Sequence, residues 1–139
     1  TIYALHKLPL RADVRVEAAV ETADGPNRNN ISLICRATEK GWYEFSMNSG
    51  GYWFIWRYEG GDYQMLNSGA SLKIHMQKAA NVIMATCVGK TLSLFVNDSL
   101  MGIAEDPNAL GAGQVGVSVS TFDIPGAGVE FDWFRASVP

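Results

Sequence analysis

The amino-acid sequence predicts an all-β fold, two antiparallel sheets packed as a β-sandwich, and three observations carry that expectation. Strand-like runs separated by turn residues follow one another at short spacing along the whole chain, and no segment sustains a helical period. Residues 41–58 read as one aromatic β-hairpin, rich in the ring side chains that suit a pleated surface. At 139 residues the chain is expected to be a single domain over 1–139, long enough for a two-layer core and too short for two domains.

Taken in order, Ile2 to Leu8 is a first strand, ended by Pro9. Asp13 to Glu21 is a second, with Val14, Val16, Ala18 and Val20 on its core side and Arg15, Glu17 and Glu21 on the other. The Asp-, Gly-, Pro- and Asn-rich stretch from Thr22 to Asn30 is a surface turn. Ile31 to Ala37 places Ile31, Leu33 and Cys35 inward and Ser32, Ile34 and Arg36 opposite. In the hairpin, a four-residue loop Asn48-Ser49-Gly50-Gly51 closing between Met47 and Tyr52 sets Tyr43, Phe45, Met47, Tyr52, Phe54, Trp56 and Tyr58 on a core face. Trp42, Glu44, Ser46, Trp53, Ile55 and Arg57 then share the other face, with Ser46 opposite Trp53 and Trp42 opposite Arg57. The hairpin ends at Glu59-Gly60-Gly61-Asp62, and Tyr63 to Leu66 is a short strand. Leu72 to Ala80 fits a short strand or a helical turn equally. Val82 to Val88 and Thr91 to Val96 form a hairpin across Gly89-Lys90, and Asn97-Asp98 turns into a strand around Met101 to Ala104. Asp106-Pro107-Asn108 opens a loop closed by Gly111 and Gly113, and Val115 to Thr121 and Val129 to Ala136 complete nine or ten strands.

Composition narrows the partners. A hydrophobic content of 47% with 18% charged residues is that of a globular protein, and the formal charge of -3 gives no electrostatic footprint for nucleic acid or an anionic membrane. No apolar run approaches the roughly 18 to 20 residues of a bilayer span, so a soluble chain without a membrane span is expected. Cys35 and Cys87 each fall at an inward position of a strand. Two buried free thiols would pack as small hydrophobes; a disulfide is the preferred reading, because a sandwich brings such strands together. A bridge implies an oxidising location, whether extracellular, at the cell surface or periplasmic.

The order of these elements resembles the concanavalin A-like jelly-roll superfamily, and within it the bacterial extracellular domains of laminarin-binding type and those related to 3-keto-disaccharide hydrolases. The likeness rests on Leu33-Ile34-Cys35-Arg36 before Trp42-Tyr43-Glu44-Phe45, on Gly51-Tyr52-Trp53, and on Asn81 through Cys87-Val88-Gly89 with Leu92-Ser93-Leu94-Phe95-Val96-Asn97. Gly113-Gln114-Val115-Gly116-Val117 and Val129-Glu130-Phe131-Asp132-Trp133-Phe134 close it, so it covers roughly residues 13 to 136. The resemblance further implies an N-terminal strand or leader before Thr1. It specifies a fold and leaves the ligand open.

Glucanases of that superfamily carry paired carboxylates at alternate positions of one strand, and this chain has no such set. Glu17 and Glu21 share a strand face but read as ordinary solvated charges. His6 and His75 have no Cys, Asp or Glu at ligand or triad spacing. The expectation is therefore a protein that is not an enzyme and has no cofactor, apart from a structural calcium that the resemblance implies at Asp132. The alternative for Asp132 is a pairing with Arg135 or a strand-turn cap. The sequons Asn30-Ile31-Ser32 and Asn97-Asp98-Ser99 decide nothing by themselves.

What remains is the second face of the hairpin, where Arg36, Trp42, Glu44, Trp53 and Arg57 are expected to form one patch. A flat ring for the apolar side of a pyranose beside groups that bond its hydroxyls is the composition of a sugar site. Two readings fit: a non-catalytic module binding a glycan or another surface ligand, and a structural subunit whose aromatic face meets a protein partner.

Overall fold

The computed structural model describes residues 2–22, 29–48, 50–75, 80–121 and 129–139. Its strands are β1 (Ile2–Arg11), β2 (Val14–Thr22), β3 (Asn29–Ala37), β4 (Gly41–Asn48), β5 (Tyr52–Glu59), β6 (Asp62–Ala70), β7 (Ala80–Val88), β8 (Thr91–Val96), β9 (Ser99–Glu105), β10 (Gly113–Thr121) and β11 (Val129–Ser137). They form two antiparallel sheets, one of six strands in the order β1-β10-β3-β4-β5-β6 and one of five in the order β11-β2-β7-β8-β9. The all-β sandwich is as expected, with more strands than the nine or ten read from the sequence.

Alternation builds the core. Val14, Val16, Ala18 and Val20 of β2 and Ile83, Ala85 and Cys87 of β7 meet Ile31, Leu33 and Cys35 of β3 and Tyr43, Phe45 and Met47 of β4. Each large apolar side chain buried in this way contributes about 1.5–3 kcal/mol. Cys35 and Cys87 are joined by a disulfide, with Cα atoms 6.9 Å apart, which ties β3 of one sheet to β7 of the other. Both hairpins around β8 are as read. Val88 pairs with Thr91 across Gly89-Lys90, and Val96 pairs with Ser99 across Asn97 and Asp98, whose φ values of 50° and 65° suit a primed turn. The Asn97 side chain locks that turn: its carbonyl accepts from the Val82 N–H, and its amide donates to the Lys73 carbonyl and to Asn81 Oδ1.

Three expectations about elements need correction. Pro9 does not end the first strand; β1 runs to Arg11 with a register shift after His6, tolerable because β1 is an edge strand, where a missing N–H costs little. The strand after the aromatic hairpin extends to Ala70, with an irregularity that lets Ile55 pair with Asn67 and Trp56 with Met65. Between Leu72 and Ala80, residues 71–74 make a turn that buries Ile74 in the core, and residues 76–79 lie outside the described ones, as does 23–28 of the expected surface turn.

The largest correction is the register of the hairpin. β4 ends at Asn48 and β5 begins at Tyr52, so the connection is one residue shorter than expected, and Met47 faces Trp53 rather than Tyr52. The turn itself sets this. Asn48 Oδ1 accepts from the N–H groups of Gly50 and Tyr52, and Gly51 sits at φ 85°, the left-handed residue that closes a short hairpin. A slip of one residue moves every side chain of β5 to the other face. Trp53, Ile55 and Arg57 therefore point between the sheets.

Trp53 is 6% exposed and fills the space where β6 and β9 approach each other. Both strands carry glycine beneath it. A Cβ on Gly69 would come within 2.7 Å of the indole, and one on Gly102 closer still. Asn67 Nδ2 donates to the Ile103 carbonyl alongside, at 3.0 Å. On the opposite long side of the sandwich, a cleft of about 250 Å³ opens between the sheets, lined by Val14, Val115 and Ala136 with Arg11 among its walls.

Candidate functional site

The outer face of the six-stranded sheet holds the candidate site. Cross-strand pairing aligns Ser118, Ser32, Ser46 and Phe54 in one row, Ile34, Glu44 and Trp56 in the next, and Trp42, Tyr58 and Tyr63 in a third. The rings contact one another. Trp42 stacks on Tyr58 with centroids 4.2 Å apart, Tyr58 meets Tyr63 at 4.8 Å, Trp56 meets Tyr63 edge-on at 5.9 Å, and Phe54 stacks with Trp56 at 5.7 Å. Ring pairs at such distances contribute about 0.5–1.5 kcal/mol beyond their burial.

Glu44 lies among them and is only 7% exposed. Its Oε1 accepts from Trp42 Nε1 at 3.1 Å and from the Tyr63 hydroxyl at 3.4 Å, and its Oε2 accepts from Ser32 Oγ at 3.3 Å. Ser32 is in turn 2.7 Å from Ser46 Oγ. Burial pushes the Glu44 carboxyl above its ordinary range, and the hydrogen bonds from Trp42, Ser32 and Tyr63 offset that only in part. The result is a carboxylate held in place by neutral donors, inside a wall of flat rings.

Of the five residues expected in one patch, the structure brings together two. Trp42 and Glu44 lie on the outer face; Trp53, Arg57 and Arg36 do not. Trp53 and Arg57 moved with the register of β5. Arg57 bonds the Asp106 carboxylate, the Asn108 carbonyl at 2.6 Å and Glu59 at 3.1 Å. Arg36 is turned inward by a bulge where β3 meets β10, its φ of 54° being unusual for a side chain of this size. It is 2% exposed and donates to the carbonyls of Ala12, Gly89 and Leu110 at 2.7, 2.8 and 3.0 Å, with Asp13 at 3.5 Å.

These two arginines instead pin the loop after β9 to the end of the core. The Tyr43 hydroxyl donates to Asp106 at 2.6 Å and accepts from the Leu110 N–H at 3.0 Å. Burial, followed by the bond to Asp106, pushes Tyr43 up to about 12. Burial alone would raise Asp106 as well, but hydrogen bonds from Tyr43, Arg57 and the Asn108 N–H outweigh it and hold that carboxyl below its ordinary range.

Phe54, Trp56, Tyr58 and Tyr63 were missed as outer-face residues because the four-residue loop assigned the first three to the core. The signal that places them was the turn, with Asn48 as a side-chain acceptor and a second glycine at the left-handed position. Asp132 stands exposed at an irregularity of β11, and Arg135 pairs with Glu17 at 3.2 Å. Among the described residues no group of three or more His, Cys, Asp or Glu gathers. No helix among the described residues is long and apolar enough to cross a membrane.

No protein-family model matches the chain, and no curated protein is significantly similar to it in sequence. Solved structures do match in fold. A carbohydrate-binding module, CBM66, from Bacillus subtilis aligns with a TM-score of 0.78 at 16% identity, covering 96% of this chain and 80% of that one. A tetrameric galectin from the ball sponge Cinachyrella sp. aligns with a TM-score of 0.76 at 7% identity, covering 97% and 99%. The Caenorhabditis elegans galectin LEC-6 aligns with a TM-score of 0.68 at 16% identity, covering 98% and 89%. They share the jelly-roll β-sandwich fold with this chain. At such identities the likeness is one of fold, and the narrower laminarin-binding or 3-keto-disaccharide-hydrolase type remains a resemblance of the sequence alone.

Proposed function

We propose that the chain is a non-catalytic carbohydrate-binding module acting outside the cytoplasm, with its ligand on the outer face of the six-stranded sheet. Trp42, Trp56, Tyr58 and Tyr63 supply the stacking surface, and Glu44 is the fixed hydrogen-bond acceptor at its base. The observation that carries this reading is the ring cluster around a hydrogen-bonded carboxylate on an outer sheet face rather than between the sheets. A pyranose offers C–H groups to flat rings and hydroxyls to an acceptor, which is the chemistry those side chains complement. The fold shared with a carbohydrate-binding module and galectins supports the reading, as does the disulfide for the location. At the outward positions of β3, β4, β5, β6 and β10 Glu44 has no second carboxylate beside it among the described residues, whereas glycoside hydrolysis needs an acid and a second carboxylate roughly 5 to 9.5 Å apart.

The test is titration with neutral mono- and oligosaccharides, followed by tryptophan fluorescence. We expect a saturable change that Trp42→Ala weakens by roughly tenfold or more, about the 1.4 kcal/mol of one good ring contact, while the melting transition stays cooperative. Trp53→Ala is the wrong probe, since it empties the core. Absence of any response from the unaltered protein would refute the reading. It would then favour a protein-interface role, for which Tyr63 and Met65, 47% and 48% exposed on edge strand β6, are suitable contact groups.

A further inference from the structure

Resting on the carbohydrate reading, we propose that the ligand carries a protonated amine, as an amino sugar with a free amino group does, and that Glu44 selects it. Charge placement is the first argument. With Arg36 and Arg57 inside the fold, the outward positions of β3, β4, β5, β6 and β10 carry no Lys or Arg among the described residues. At the end of the ring platform, the opening beside Tyr58 is lined by Glu39, Glu59 and Lys40, which adds negative charge rather than positive.

The second argument concerns Glu44 itself. Buried carboxylates are almost always paired with a cation, yet the hydrogen-bond donors to Glu44 are an indole, a phenol and a hydroxyl. At the outward positions of β3, β4, β5, β6 and β10 the other ionisable side chains among the described residues are phenols, Tyr52, Tyr58 and Tyr63. A carboxylate has about four lone-pair sites, so acceptor capacity remains beside the three donors. An ammonium group over the rings would supply the missing counter-charge, and the π-faces of Trp and Tyr attract it independently. An acidic sugar would meet the negative charge of Glu44, with no Lys or Arg among the described residues at the outward positions of those five strands to receive it.

The experiment uses three ligand series in calorimetric titrations near pH 6: acetylated chito-oligosaccharides, the same oligosaccharides deacetylated, and oligogalacturonates. The unaltered protein should bind the deacetylated series roughly tenfold more tightly than the acetylated one, the scale of one charge pair at a partly screened site, and the acidic series most weakly. Glu44→Gln should erase the preference for the amine, bringing the affinities of the first two series together. Equal affinity for the first two series, or a preference that survives in Glu44→Gln, overturns the proposal and leaves the carbohydrate reading standing. Binding of none of the three overturns both. The ranking in the unaltered protein does not depend on how the variant folds.

Discussion

Glu44 and Asp106 are both carboxylates removed from solvent, and their environments push them in opposite directions. Asp106 has the Arg57 guanidinium; Glu44 has only neutral donors. A carboxyl held low in the folded state contributes stability above its unfolded pKa and loses it as pH falls through the folded value. For Glu44, held high, the sign reverses. The folded protein keeps the proton that the unfolded chain gives up, so stability falls as pH rises from the ordinary carboxylate range through the raised value. Glu44→Gln should therefore stabilise at neutral pH. The amide oxygen can accept from Trp42 and Tyr63, and the amide nitrogen can donate to Ser32, whose own proton turns to Ser46. We expect a melting temperature raised at pH 7, by an amount that shrinks toward nothing near pH 4, where the carboxyl is largely protonated in both states. Thermal unfolding at the two pH values checks it; a variant less stable at pH 7 would mean that the ionised form is the better-satisfied one.

The aromatic hairpin joins core and site. Because Trp53 is seated over Gly69 and Gly102, Gly102→Ala should destabilise by about 1–3 kcal/mol through overpacking, and less in a Trp53→Phe background, where the smaller ring leaves room for the methyl group. Chemical denaturation of the two single variants and the double variant measures the coupling; additive costs would show that the glycine serves another purpose. The same hairpin marks the limit of what was legible. In β2, apolar and polar residues alternate except at Ala19, so one face is plainly the core, and those residues are buried as read. In β5, Tyr52, Phe54, Trp56 and Tyr58 alternate with Trp53, Ile55 and Arg57, so both faces are largely apolar and periodicity cannot choose between them. Only the turn could decide, and a loop wrong by one residue exchanged platform for core. Arg36 was illegible for another reason: a bulge reverses a side chain without any change in hydrophobic pattern.

For the molecule as a whole, the pairing of Cys35 with Cys87 was readable because both lie at core positions of strands that the sandwich stacks face to face. That bond closes a long loop, with a sequence separation of 52, and reducing it should cost about 4 kcal/mol in the chain-entropy account. Denaturation with and without reductant tests this; an unchanged midpoint would mean that the sheets hold each other without the bond. The two long sides of the sandwich are unequal. Along one, Trp53 bridges β6 and β9 with Asn67 bonded beside it; along the other lies the open cleft near Val14 and Val115. Trp53 and its neighbours form the spine of the sandwich on the first side, and the Cys35–Cys87 bond fastens the sheets again between the spine and the cleft. The ring cluster lies on β4, β5 and β6, beside the spine. The proposed ligand would thus settle on rings backed by packed core, and little of its contact energy would be lost to ordering the protein.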